Sequence, residues 1–411
     1  MPQIALFLPC AAGVEDLLAE ECRRLLGDKA RINTSRGGAT VWGDERAAMR
    51  LNLGCRLAQR VLWPVAHGPY HDEHELYELA RTVRWGEWIT PRQTLRVDST
   101  AQRSPLRSLN FANLRIKDAV CDDLREATGE RPSVDTRWPD LPLALHLTAT
   151  HATLYVDLSG EALFKRGWRE AKGEAPLKET LAAAMLAAAG WQGRAEDGPL
   201  FDPCCGAGTI AIEAAQIACG IAPGLQRRFA FEKLLPFRPH LNAWRQMLSE
   251  AEAAVHAPQV PIFAGDVSFR MTDFATRNAE RAGVLHAIDF KTADALQRPA
   301  PAEGGVLMMN PPYGERIDAK GTGQGAGQAF EGGGSPAEFY AKLAAHWKRQ
   351  FPGWTAWVLS PDMKLPSMMR LKESRRVPMW NGPIECRLFR FDLVAGSARP
   401  TAPRGAEEPS D

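Results

Sequence analysis

The stretch LMMNPPYGER, residues 307–316, runs an apolar, strand-like segment straight into Asn310, Pro311, Pro312 and Tyr313. Each proline removes a backbone donor and fixes φ, so the pair stops strand and helix alike and leaves two carbonyls on a rigid corner. Such a corner holds something still at the end of a strand. A second chemical stretch is PLFDPCCGAGTIAIEAAQIACG, residues 199–220, which passes from a strand through a glycine-bearing turn into a helix. Gly206 and Gly208 allow a tight turn and close backbone approach to a ligand, and Asp202 ends the strand where α/β sheets bind cofactors. The dinucleotide fingerprint GxGxxG is not met, because its third glycine falls on Ala211. Two more acids follow at strand ends. Asp266, in VPIFAGDVSFR, can take both hydroxyls of a ribose or cap the next helix, and Asp294, in IDFKTADALQ, is a ligand or a turn aspartate. Four strand ends in succession, carrying Asp202, Asp266, Asp294 and Asn310, are expected to converge on one edge of a sheet.

The elements that would position these residues are legible around them. From Leu177 onward an alanine-rich helix, LKETLAAAMLAAAGW, is followed by apolar strands alternating with helices, the pattern of a parallel, doubly wound sheet. Before it the order differs. IALFLP and GVEDLLAEECRRLLG read as a strand, a turn and an amphipathic helix, and ATVWG and RVLWPVAH read as further strands. TLRVDSTA, LNFANLRIKDAVCDDLREATG and LALHLTATHATLYVDLSG then form a β-α-β-β module whose helix ends at Gly129. KRGWREAKGEAP, residues 165–176, is polar and proline-closed and reads as a linker, and the last residues, 396–411, read as a disordered tail. The glycine-rich stretch 321–334 follows no strand and opens no helix, so it reads as a loop near the mouth of the site rather than a phosphate cradle.

Bulk properties narrow the setting. Lys and Arg number 50 against 49 Asp and Glu, so a polyanionic partner would have to meet a local patch. The eight cysteines contain no CxxC pair and no cluster with metal spacing, which predicts reduced thiols and no metal. No basic n-region precedes an apolar segment at the start, and no run reaches the length of a membrane span, so a cytoplasmic location is expected.

The acidic glycine loop, the ribose acid and the Asn-Pro-Pro-Tyr corner resemble class I S-adenosylmethionine-dependent methyltransferases that modify exocyclic or amide nitrogens. SGEALFKRGWREAKGEAPLKETLAAAML, DPCCGAGTIAIEAAQIACGIAPGLQRRFAFE, NPPYGER and KDAVCDDLREATGERPSVD resemble, more closely, the bacterial THUMP-domain methyltransferases acting on guanine N2 of 23S rRNA. The resemblance implies an α/β protein. A Rossmann-like class I methyltransferase domain over residues 177–395 would follow an α+β, THUMP-containing RNA-binding region. That region would divide into a ferredoxin-like segment, 1–45, and the THUMP domain, 45–160, joined to the catalytic domain by a linker, 161–176. The family's best-known member carries a second methyltransferase unit fused C-terminally, so a single-unit version is expected here. The cofactor implied is S-adenosylmethionine, bound by Asp202, Pro203, Cys205, Gly206, Ala207, Gly208, Thr209, Asp266 and Asp294. Two departures stand out: Ala207 where the loop usually has serine, and Ser268 where a second acid is common.

An exocyclic amine is a poor nucleophile because its lone pair is delocalised into the ring. The Asn310 side-chain oxygen and the Pro311 carbonyl can each accept an N–H of that amine and favour the charge developing on nitrogen, while Pro312 stiffens the corner and Tyr313 stacks on the flipped base. RNA, as rRNA or an assembling large ribosomal subunit, is the implied partner, with no membrane. The basic residues Arg103, Arg107, Arg115 and Lys117 lie around the THUMP helix, Lys165, Arg166, Arg169 and Lys172 in the linker, and Lys364, Arg370, Lys372, Arg375 and Arg376 late in the chain. Each cluster is either a solvated face or a phosphate-binding one, and with an RNA substrate two of the three are expected to touch phosphates. Trp168 stacks on a base or packs the domain interface. The same corner would serve adenine N6, another RNA such as tRNA, or a protein glutamine. A reading of another class, a catalytically weak RNA-binding ribosome-assembly factor, runs against intact Asp202, Asn310 and Tyr313.

Overall fold

The computed structural model describes residues 3–170, 176–311 and 336–394. Pro312, Tyr313, Lys172, the glycine-rich stretch 321–334 and the tail 396–411 lie outside the described residues.

The N-terminal part contains β1 (Ile4–Pro9), α1 (Glu15–Leu26), β2 (Ile32–Ser35), β3 (Gly38–Gly43), α2 (Glu45–Gly54), β4 (Leu62–Pro69) and α3 (Glu73–Arg81). Next come β5 (Thr94–Ala101), α4 (Leu109–Thr128), β6 (Ser133–Val134), β7 (Leu141–Leu147) and β8 (His151–Asp157). The two modules expected from the sequence share one sheet, with strand order β2-β3-β1-β4-β8-β7-β5-β6. Its weakest seam is β1 against β4, where Phe7 opposite Leu62 is the paired position. Helix α4 starts at a Ser108 cap, whose hydroxyl accepts the Phe111 N–H, and ends at left-handed Gly129.

The second part begins with α5 (Glu179–Ala189) and continues through β9 (Leu200–Asp202), α6 (Thr209–Ala218), α7 (Leu241–Ala253), β10 (Ile262–Asp266), α8 (Phe269–Arg281) and β11 (Ile288–Thr292). It closes with β12 (Gly305–Met309), α9 (Pro336–Gln350), β13 (Trp354–Ser360), α10 (Leu365–Met369), β14 (Arg375–Asn381) and β15 (Ile384–Asp392). The sheet order is β11-β10-β9-β12-β13-β15-β14. β9 to β13 run parallel to one another, and β15, antiparallel to β13, forms an antiparallel edge with β14. The order reverses between β9 and β12, which creates the crevice where open α/β sheets bind ligands.

Both faces of this sheet are covered. One packs on α5, α6 and α8 through Leu200, Ile262, Ala264 and Met308, in a core continuous with that of the N-terminal sheet. The other packs Phe201, Leu307 and Met309 on Tyr340, Leu343 and Trp347 of α9. α6 is buried almost all round, and its only charged residue, Glu213, is also buried.

The continuous core has an aromatic component that no sequence pattern marked. Between α6 and α7, Phe229, Phe231 and Phe237 cluster with Trp244, and Phe237 meets Trp63 of β4, which in turn meets Trp88. Backbone bonds from Gly224 to Leu53 (2.9 Å), from Phe231 to Leu158 (3.1 Å) and from Leu235 to Trp88 (2.9 Å) fix this docking. All eight cysteines are free. Among the described residues no helix is long and apolar enough to cross a membrane.

Candidate active site at the switch point of the second sheet

Register explains why separate motifs meet. Asp202 lies opposite Ala264 on β10, and Phe201 lies opposite Leu307 on β12. Asp266 is two residues beyond Ala264, and Asn310 is two beyond Met308, which is level with Asp202. Side chains alternate with period two, so Asp202, Asp266 and Asn310 share one face at the carboxyl end of three adjacent strands.

The glycine loop between β9 and α6 is tied at several points. The Cys205 N–H donates to Gly265 O (2.8 Å) and the Gly208 N–H to Cys205 O (2.8 Å). Gly206 and Gly208 both have positive φ, at 51° and 88°. A Cβ at Gly208 would lie 3.0 Å from Ala275 Cβ, so this glycine lets α6 approach α8; a Cβ at Gly206 would meet nothing within 4 Å. Gly206 therefore faces open space with its N–H turned to Asp266, whose Oδ2 accepts it at 3.0 Å. Asp266 Oδ1 accepts the Ser268 N–H at 3.0 Å. Asp266 thus braces the loop and the start of α8 together, both of the alternatives the sequence left open being compatible with this geometry. Ala207, at the position where serine is usual, presents its carbonyl to Asn278 Nδ2 at 3.1 Å and needs no hydroxyl for that contact.

Two acceptors in this crevice have no partner among the described residues. Asp202 is buried; its Oδ1 accepts the Cys204 N–H at 3.3 Å, and its Oδ2 accepts nothing. Asn310 Oδ1 is likewise buried and without a partner, next to buried Pro311. Unpaired buried acceptors are uncommon in folded proteins, and two at one switch point mark a place for donors from a ligand. Burial pushes the Asp202 carboxyl well above the usual carboxylate range, with Asp266 adding to the effect. Burial also pushes the Cys204 and Cys205 thiols up, reinforced by nearby carboxylates, so neither is a thiolate nucleophile. The carboxylates acting on Cys204 are Asp266, Asp202 and Asp294, which brings Asp294 to the same edge. Asp294 is engaged in its own turn: Oδ1 accepts the Leu296 N–H at 2.9 Å, and its carbonyl accepts from Gln297 and Arg298.

The basic clusters divide. Arg103 and Arg107 are exposed before α4, close in sequence to exposed Phe111 and Leu114. Arg115 stacks over Tyr77 at 4.7 Å, Lys117 pairs with Asp118 at 2.6 Å, and exposed Lys165 pairs with Glu161 at 2.8 Å. Lys364, Arg370, Lys372, Arg375 and Arg376 are exposed. Arg166 departs from the sequence reading. Its side chain is 2% exposed and cannot meet a phosphate; it donates to Glu213 Oε1 (3.0 Å) and to Arg56 O (2.8 Å). Arg169 also faces inward, donating to Glu179 Oε1 and to Thr209 Oγ1, both at 2.7 Å. The physical reason is the buried Glu213 and Glu179, whose charges need partners away from water. Trp168 is buried in the continuous core, with the Arg169 guanidinium 4.9 Å from its ring centre, so it is not exposed for stacking on a base.

A parallel sheet of this order, with an acidic glycine loop after its first strand and Asn-Pro after the fourth, defines a Rossmann-like class I methyltransferase domain, here preceded by an α+β region. The chain belongs to the RMKL-like methyltransferase-domain family, whose model matches residues 166–390. Residues 70–157 match the THUMP domain and residues 5–62 the RlmL ferredoxin-like domain. A "Ribosomal RNA large subunit methyltransferase K/L" from Shewanella pealeana is 35% identical over 402 residues, covering 97% of this chain and 54% of the relative. The chain thus spans about half the length of the curated relatives it matches. Among solved structures, SMU.472, assigned as a methyltransferase and complexed with SAH, superposes with a TM-score of 0.82 at 25% identity, covering 95% of this chain and 98% of that one. A chain from Listeria monocytogenes assigned as an N6-adenine-specific DNA methylase superposes at 0.79 with 27% identity, covering 95% of this chain and 96% of the other.

Proposed function

We propose that the chain methylates an exocyclic amine of RNA, guanine N2 of 23S rRNA being the favoured target, with S-adenosylmethionine as methyl donor. The observation that carries this reading is the pair of buried, unpartnered acceptors, Asp202 Oδ2 and Asn310 Oδ1, at the carboxyl ends of adjacent strands. They fit the two ligands such a reaction needs. Asp202 suits the ammonium of the cofactor's amino-acid end, which would restore the charged carboxylate that burial disfavours. Asp266 suits the ribose, and the open space at Gly206 leaves the backbone accessible. The bound cofactor supplies an electrophilic methyl group.

Asn310 Oδ1 accepts an N–H of the incoming amine, orients its lone pair and stabilises the positive charge that grows on nitrogen. Pro311 is buried and locks that asparagine at the strand end. Tyr313 is assigned the stacking of the flipped base. Exposed Arg103 and Arg107, with exposed Phe111 as a stacking ring and Leu114 as an apolar neighbour, offer cationic and stacking groups to a single strand, as a THUMP-containing region would require. Ribosomal RNA, free or within an assembling large ribosomal subunit, is the partner proposed, and the cytoplasm the location. The names of relatives support ribosomal RNA as the substrate class.

Asp266→Ala is expected to weaken S-adenosylhomocysteine binding about tenfold or more, through lost charge-assisted bonds to the ribose and a loosened glycine loop. Calorimetry checks it, and unchanged affinity in a folded variant would reduce Asp266 to a brace. The choice of nitrogen is tested with RNA carrying inosine at the target guanosine, which keeps O6, N1 and N7 but lacks the 2-amino group. Such RNA is expected to bind and not react. Methyl incorporation at the normal rate would rule out guanine N2 and leave an adenine as the target.

A further inference from the structure

We propose that Arg169 anchors the carboxylate of the cofactor's amino-acid end, making it a cofactor-specificity residue rather than an RNA contact; this rests on the reading that S-adenosylmethionine binds here. Its guanidinium is a planar fork with three nitrogens in fixed relation. Nε donates to Glu179 Oε1 at 2.7 Å, and Nη2 donates to Thr209 Oγ1 at 2.7 Å, the first residue of α6. Nη1 is buried and has no partner among the described residues. The two terminal nitrogens are held close together by covalent geometry, so this free donor lies beside the end of the glycine loop.

The chain around Arg169 is held to the same loop independently. The Glu170 N–H donates to Asn278 Oδ1 at 3.3 Å, and Asn278 Nδ2 donates to Ala207 O at 3.1 Å. The Arg169 side chain is 13% exposed and Glu179 4%, so the cation is both shielded and already neutralised along its Nε edge. A second anion at Nη1 completes the fork, and the first N–H groups of α6 favour negative charge at the same point. At the other end of the loop, Asp202 Oδ2 is a buried acceptor without a donor. A free cationic donor at one end and a free acidic acceptor at the other match the two charges of an amino acid.

The test compares calorimetric affinities of S-adenosylhomocysteine and its decarboxylated analogue, which keeps the ammonium and loses the carboxylate. The wild-type protein should favour the complete ligand by about tenfold or more, the size of one charge-assisted bond. Arg169→Gln should remove that preference while leaving the analogue's affinity within about twofold. Asp202→Asn should weaken both ligands, because its partner is present in each. Equal weakening of both ligands by Arg169→Gln would reduce the arginine to a brace for the loop and overturn the proposal. A wild-type preference near one would overturn it without any variant. If the wild-type protein bound neither ligand, the cofactor reading itself would fall, an outcome distinct from loss of the preference alone.

Discussion

Asn310→Ala should slow methyl transfer by about 10²–10³-fold while leaving cofactor affinity within about threefold. The asymmetry follows from where the amide sits. Asn310 follows β12, a strand with parallel neighbours on both sides and cores on both faces, so its position is set by the sheet. Its Oδ1 is buried and has no partner among the described residues, which leaves its interaction energy for a donor that arrives with the substrate. The positive charge on the attacking nitrogen grows only as the new bond forms, and an acceptor aimed there therefore acts mainly on the transition state. Single-turnover transfer of labelled methyl to RNA measures the rate, and calorimetry with S-adenosylhomocysteine measures the affinity. Turnover at the wild-type rate on the native substrate would sink the role given to the corner.

Glu213→Gln should destabilise the folded chain by roughly 3–5 kcal/mol, the cost of breaking a buried charge pair from one side. Glu213 is 0% exposed on α6 and accepts from Arg166 Nε (3.0 Å) and Nη2 (3.3 Å) and from Arg56 Nη1 (3.2 Å). Arg56 follows α2 of the N-terminal part and also donates to the Ile221 carbonyl, beyond α6. Its own N–H and that of Leu57 are held by Glu21 of α1, at 2.9 and 3.0 Å. One carboxylate therefore joins the N-terminal part, the segment before α5 and the helix that follows the glycine loop. The amide of glutamine keeps the shape but takes from two buried cations the carboxylate they both bond. Urea denaturation should show the loss, and Glu213→Leu combined with Arg166→Met and Arg56→Met should recover much of it. A Glu213→Gln protein as stable as the wild type would mean that water already screens the cluster.

The elements, and the places where the chemistry sits, are legible along the chain. Period-two apolar strands, the alanine-rich helix before β9, the glycines at 206 and 208 and the prolines after Asn310 are local signals. Each constrains the backbone within a few residues, so strand ends carrying Asp202, Asp266 and Asn310 were readable before any contact was known. Partnership was not readable. The charge run around Arg166 and Arg169 has the composition of a solvated linker, and nothing near it in sequence shows that Glu213 and Glu179 will be buried and require those guanidinium groups. The same holds for Asp294, whose carboxylate is spent on its own turn, and for the Phe229, Phe231 and Phe237 cluster, in which Phe237 meets Trp63 only when the two parts dock. It holds too for the single eight-stranded sheet that merges the two N-terminal modules. Local structure follows from sterics and periodicity along the chain, whereas pairing of buried charges and rings depends on desolvation, and only the tertiary structure decides which groups lose their water together.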